Sequence, residues 1–117
     1  MTQQETTQLA QQEFNKFKKQ LQRFGIEVEV FDQEHALPDA VCTDWFMTVR
    51  NELFPKGVLI LGAMKTEQRR KERSQQIIDV LSNYYNDVID LSHFENENMA
   101  LELQGSIVPD WKNAKVY

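Results

Sequence analysis

Three groups of charged residues in this chain have the types needed to hold a guanidinium ion between carboxylates. The first is Asp39 and Asp44, which flank a short turn in Leu37-Pro38-Asp39-Ala40-Val41-Cys42-Thr43-Asp44-Trp45. The second is Arg69, Arg70 and Arg73, in a basic helix start. The third is Glu102, in Leu101-Glu102-Leu103-Gln104-Gly105-Ser106. A guanidinium is planar and always charged, so carboxylates bind it through paired, charge-assisted hydrogen bonds. An aromatic neighbour such as Trp45 can stack on the cation or wall off water. An arginine near the helix start can clamp an α-carboxylate bidentately. If Leu101 and Leu103 face one apolar layer of a strand, Glu102 faces the other side with Gln104. A carboxylate on an inward face needs a cationic partner there.

Each group also has a purely structural reading, and spacing alone favours it. Asp39 then caps a turn after Pro38, and Trp45 is a core residue. The arginines form a solvated helix start with local ion pairs to Glu72, which contribute little. Glu102 becomes a solvent-facing strand glutamate. Other reactive side chains offer less. Cys42 sits beside Thr43 and Asp44, and a nearby carboxylate raises a thiol pKa, so it reads as a small buried strand residue rather than a nucleophile. His35 lies in a polar loop and His93 at a strand end, with no metal-like spacing to another His or Cys. No glycine-rich phosphate loop is present.

The elements that must position these residues follow from hydrophobic period. Ala10, Phe14, Phe17, Leu21 and Phe24 predict an amphipathic helix over about 7–24, ended by Gly25. Ile26, Val28 and Val30 alternate with Glu27 and Glu29, predicting a strand over 26–31. Strands are expected over 40–49 and 57–63, the second holding the apolar run Val58-Leu59-Ile60-Leu61, buried on both faces. Thr66 is the expected N-cap of a helix over 67–85, whose inner face is Ile77, Ile78, Leu81 and Tyr84 or Tyr85. Strands over 87–91, 100–108 and 114–117 complete a single domain, 1–117, of α/β class. The order is α-β, then β-β-α-β, then β-β. Such a piece leaves apolar edges that further copies or subunits cover.

Composition narrows the partners. The 117 residues are 41% apolar and 26% charged, with a net charge of −5. That balance disfavours nucleic acid, which requires a clustered basic face. A single cysteine excludes an internal disulfide framework and fits a reducing compartment. The longest apolar run, Gly57 to Met64, falls far short of the roughly 20 residues of a spanning helix. The glutamine-rich N-terminus is not a secretory signal. An intracellular location is expected, in the cytoplasm or an organelle such as the mitochondrion.

Taken in order, these motifs resemble the front part of the amidinotransferase, or guanidine-modifying, superfamily, which has the pentein fold. The likeness runs from about Gln8 to Tyr117 and is closest to the citrulline-utilisation hydrolase-like branch. Members of that branch carry a Pro-Asp-Ala-Val-Phe-Pro-Asn-Asn-Trp segment, a Pro-Met pair, an Arg-Arg-x-Glu-Arg helix start, Asp-Leu-Ser, and Leu-Glu-Gly-Thr-Gly-Ser. Here these become Pro38 to Trp45, Ala63-Met64, Arg69 to Arg73, Asp90-Leu91-Ser92, and Leu101 to Ser106.

The resemblance implies a partial pentein (α/β-propeller) fold: one ββαβ unit with parts of its neighbours. It implies that Asp39 and the Asp44 region hold the amino and guanidino ends of an arginine-like substrate. Arg69 or Arg70 would hold its carboxylate, and Glu102 would bind the guanidinium and orient the catalytic histidine. In that family a cysteine attacks the guanidino carbon, histidine shuttles the proton, and water or an amine resolves the intermediate, with no cofactor or metal. This chain departs at Cys42-Thr43-Asp44, one residue shorter than the family segment. It departs again at Leu103-Gln104, which replace a Gly-Thr pair. It ends before the units that carry the family's histidine and cysteine. The leading expectation is therefore a non-catalytic, structural or interaction subunit whose partners cover the open sheet edges. The alternative is one part of a split guanidine-modifying enzyme, completed by another chain. A third reading is a small binding module that dimerises through its edges.

Overall fold

The computed structural model describes residues 1–33 and 36–117. Where the sequence predicts one domain, the chain divides into two compact units, Met1–Asp32 and Gln33–Tyr117.

The first unit is built on α1, Gln3–Arg23. It begins earlier than its apolar stripe because Thr2 and Glu5 form a capping box. The Thr2 hydroxyl accepts from the Glu5 N–H at 3.2 Å, and the Glu5 carboxylate accepts from the Thr2 N–H at 2.6 Å. Gly25 closes the helix at φ +77°, a conformation that costs glycine little. Residues 26–31 do not form the predicted strand. Their alternation supplies a face, but a strand also needs a neighbouring ladder, and this unit contains no second extended segment.

The second unit holds the remaining elements. β1 (Phe46–Val49) pairs antiparallel with β2 (Val58–Leu61), and β2 pairs parallel with β3 (Asp87–Asp90). A parallel pair requires a long crossover, which α2 (Glu67–Arg70) and α3 (Gln75–Ser82) provide. A 3-10 helix, Ser92–Glu97, and a one-turn helix α4, Leu103–Ser106, follow. The chain then forms a small hairpin of β4 (Pro109–Asp110) and β5 (Lys115–Val116). The β-β-α-β order is present as a mixed α/β layer arrangement.

Three further predicted elements are corrected. The strand over 40–49 shrinks to β1, because Leu37 to Cys42 is a turn in which the Leu37 and Asp39 carbonyls accept from the Ala40 and Cys42 N–H groups. Cys42 is accordingly exposed, not buried in a strand. The helix over 67–85 is two helices, because Ser74 is extended (φ −98°, ψ 120°) and its hydroxyl caps α3 at Ile77 N. The strand over 100–108 is replaced by a bridge of Leu101 to Ala63 followed by α4. Leu101 and Leu103 do not share a layer: the first is 36% exposed and the second 1%. Gly62 makes this approach possible. A Cβ there would stand 2.7 Å from the Leu101 carbonyl oxygen and 3.0 Å from Leu103 Cγ.

The core gathers Trp45, Leu59, Leu61 and Met64 against Ile77, Ile78, Leu81 and Tyr85. Of the two candidate tyrosines, Tyr85 packs inward and Tyr84 is exposed. The opposite sheet face, carrying Met47, Val49 and Ile60, lines an open apolar groove of about 580 Å³ with Leu53, Phe54 and Trp111. Every residue of β3 is exposed.

Candidate functional site

The charged residues converge where the chain leaves β2, at Gly62 to Lys65. This is the carboxyl end of the parallel pair, the end where open α/β sheets bind ligands. Five backbone groups of this short segment are engaged by side chains from later elements, the Lys65 carbonyl by Arg70 Nη2 at 3.4 Å among them. Arg73 donates to the Gly62 carbonyl at 2.9 Å, and Glu95 accepts from the Met64 N–H at 2.8 Å. Arg70 Nε donates to the Met64 carbonyl at 2.9 Å, and Glu102 accepts from the Lys65 N–H at 3.1 Å. A strand end with otherwise unpaired peptides is thereby satisfied by ionised groups.

Arg69 is the hub of one half of the cluster. Thr66 caps α2 by accepting from Arg69 N, as its position predicts, and this aims the guanidinium back toward the turn before β1. Its Nη1 meets Asp44 Oδ2 at 3.1 Å and its Nη2 meets the Cys42 carbonyl at 2.8 Å. Nε and Nη2 engage both oxygens of Glu72, each at 3.2 Å. Glu72 is 4% exposed. The hydrogen bonds that Arg69 donates to Glu72 raise its pKa above the ordinary value; burial opposes this, and the charge of Glu72 and the hydrogen bond and charge of Asp44 reinforce it. The expected weak surface pair of Arg69 and Glu72 is thus a buried, bidentate one.

The other half centres on Glu95, in the 3-10 helix. Arg73 and Arg70 both reach its carboxylate, the latter at 3.3 Å. Burial alone would raise the Glu95 pKa, but hydrogen bonds from Arg73 and Met64 N–H, and the charges of Arg73 and Arg70, hold it lower. A carboxyl lowered on folding binds fewer protons in the native state, so its stabilisation is full above its unfolded value and disappears as pH falls. Urea midpoints followed from pH 7 downward are expected to drop below the ordinary value of 4.5. In the Glu95→Gln variant this part of the decline should be absent; an unchanged profile would place the acid sensitivity elsewhere.

The predicted site residues separate into two sets. Arg70 and Glu102 meet the backbone of Met64 and Lys65, Asp44 is held by the neighbouring Arg69, and Gly105 lies against the Asp44 carboxylate, where an added Cβ would be 3.4 Å away. Asp39 does not join them; it sits exposed in the Leu37 to Cys42 turn. Glu102 stands at the entry to α4, not inside a strand. The Glu95–Arg73 pair has no signature in the sequence, since neither residue carries a local signal for a partner 22 positions away. His93 is exposed, with Nδ1 at 3.0 Å from the Asp90 carbonyl; His35 lies outside the described residues. Among the described residues, no three His, Cys, Asp or Glu side chains are grouped to hold a metal. Nor is any helix among them long and apolar enough to cross a membrane.

Compared with known families, residues 1–117 match the family model described as N,N dimethylarginine dimethylhydrolase, eukaryotic. The chain belongs to this family. Dimethylarginine dimethylhydrolases are members of the pentein superfamily, so the superfamily read from the three motifs is the one to which the chain belongs. No curated protein and no solved structure matches it. Within the dimethylarginine dimethylhydrolase family match lie all of the charged residues gathered around Gly62 to Lys65.

Proposed function

We propose that this chain supplies the guanidinium-recognising part of an arginine-modifying pentein of the dimethylarginine dimethylhydrolase type. In this reading β1-β2-α2-α3-β3 is one ββαβ unit of the propeller. Further pentein units cover the exposed β3 edge and bring the catalytic cysteine and histidine. The observation that carries the reading is the Arg69–Asp44 pair beside Arg70 and Glu102, which bind the strand exit at Met64 and Lys65.

The geometry divides the labour among these residues. Arg69 has its donors directed to Asp44, Glu72 and the Cys42 carbonyl, so it positions Asp44 and does not clamp substrate. Arg70 is the better carboxylate clamp, because its side chain is 30% exposed against 16% for Arg69. An ionised carboxylate has about four acceptor sites, so Asp44 and Glu102 keep capacity for a guanidinium beside the bonds they already make. Asp39, in its exposed turn, would reach the substrate's amino end from outside the cluster.

The test is calorimetric titration of arginine, N,N-dimethylarginine and citrulline into the chain isolated with its native partners. Arginine-like ligands are expected to bind. Glu102→Gln keeps an oxygen for the Lys65 N–H but removes the charge, so it should weaken binding roughly tenfold or more. A second reading, a non-catalytic interaction subunit, is favoured by the internal engagement of four of the five Arg69 donors and by the open apolar groove. Absence of any arginine-like binding in the native complex would select that second reading and sink the first.

A further inference from the structure

The stripe on α1 has a feature that amphipathicity alone does not require. Ala10, Phe14, Phe17, Leu21 and Phe24 follow one another at alternating spacings of four and three residues. That is the a/d repeat of a coiled coil, with Phe14 and Leu21 at a and Ala10, Phe17 and Phe24 at d. None of the α1 residues is buried. Phe14 is 49% exposed, Phe17 64% and Phe24 81%, so the Met1–Asp32 unit does not itself supply the cover that an aromatic stripe needs in water.

The same register assigns the flanking positions. Glu13 falls at g and Lys18 at the next e, while the other g and e positions within the helix are Thr6, Gln20, Gln4 and Gln11. In a parallel two-stranded coil each g residue faces the following e residue of the other helix, five positions on. Glu13 of each chain would therefore meet Lys18 of the other, giving two symmetric ion pairs. An antiparallel coil sets g against g and e against e, which brings no opposite charges together here. The charges select a parallel partner of the same sequence.

We propose that α1 pairs in parallel with α1 of a second copy of this chain, forming a short coiled coil with Glu13 against Lys18 of the partner subunit. Each symmetric interface residue then contacts its own equivalent at a and d, as a two-fold contact demands. The helix is only three heptads long, so the association is weak and concentration-dependent, suited to reinforcing a second contact rather than acting alone.

Sedimentation equilibrium of the full chain across a wide concentration range tests this. A reversible monomer–dimer equilibrium is expected. Phe17→Asp should abolish it. Glu13→Lys sets like charges together twice and should weaken dimerisation roughly tenfold, by the measured size of exposed pairs. The double variant Glu13→Lys with Lys18→Glu should restore it. Orientation is read by Gln3→Cys in a Cys42→Ser background, which should give a disulfide-linked dimer on mild oxidation. A monomer at every concentration would overturn the proposal. So would a dimer indifferent to Phe17→Asp, or one that Glu13→Lys weakens without rescue by the double variant.

Discussion

Replacing Glu72 by alanine is expected to destabilise the Gln33–Tyr117 unit by about 3 kcal/mol, the lower end of the range for breaking a buried ion pair. Glu72 is the buried charged residue among the described residues of this unit, 4% exposed, and both its oxygens are bound by Arg69. Removing it leaves the Arg69 guanidinium with Asp44 and the Cys42 carbonyl only. The lower end applies because the Arg69 side chain is 16% exposed and can recover some hydration. Urea unfolding followed by the emission of Trp45, which is buried at 3%, measures the loss. Glu72→Gln keeps shape and one acceptor and should cost less than alanine. A loss below about 1 kcal/mol for alanine would mean the pair behaves like an ordinary surface bridge. The effect should extend to the site, since Arg69 holds Asp44 in place. Loss of Glu72 should therefore weaken arginine-like binding as well as stability.

Leu59→Ala is expected to cost about 3–4 kcal/mol, within the range for large-to-small changes in well-packed cores. Leu59 is fully buried at the centre of β2, between β1 and β3. It lies in the cluster with Trp45, Leu61 and Met64, against which Ile77, Ile78 and Leu81 pack. The central strand is held by ladders on both sides, so it cannot move to close the cavity, and the high part of the range applies. For a small unit this is a large fraction of total stability. The check is the same urea transition, read at neutral pH. A cost near 1 kcal/mol would show that α3 settles into the space, and that the helix layer is looser than its packing implies.

The two halves of the molecule were legible to different degrees. The α1 stripe, the Gly25 stop, the Thr66 cap and the apolar run of β2 are local signals, written within a few residues, and they are found where the pattern puts them. The ordered motifs also carry the family, because residue types in a fixed order survive without any knowledge of contacts. Other features depended on partners far along the chain. Arg69 meets Asp44 across 25 positions, Glu95 meets Met64 across 31, and Glu102 meets Lys65 across 37. No period or cap in the intervening residues encodes these meetings.

That difference explains the corrections. Glu72 reads as a solvated neighbour in the sequence because its burial, 4% exposed, has no local signal. Residues 100–108 looked like a strand because Leu101, Leu103 and Ile107 fall at alternate positions, yet Leu103 turns inward under Gly62 and starts α4. Residues 26–31 have the right alternation and no ladder to join. The amino-acid order alone therefore settles the family, the elements with strong local signals and the chemistry on offer. Which carboxylate holds which guanidinium, and which stays available, is settled only when the β2 exit brings distant segments within hydrogen-bonding reach. Charge pairing depends on distance and desolvation, and both are properties of the folded chain.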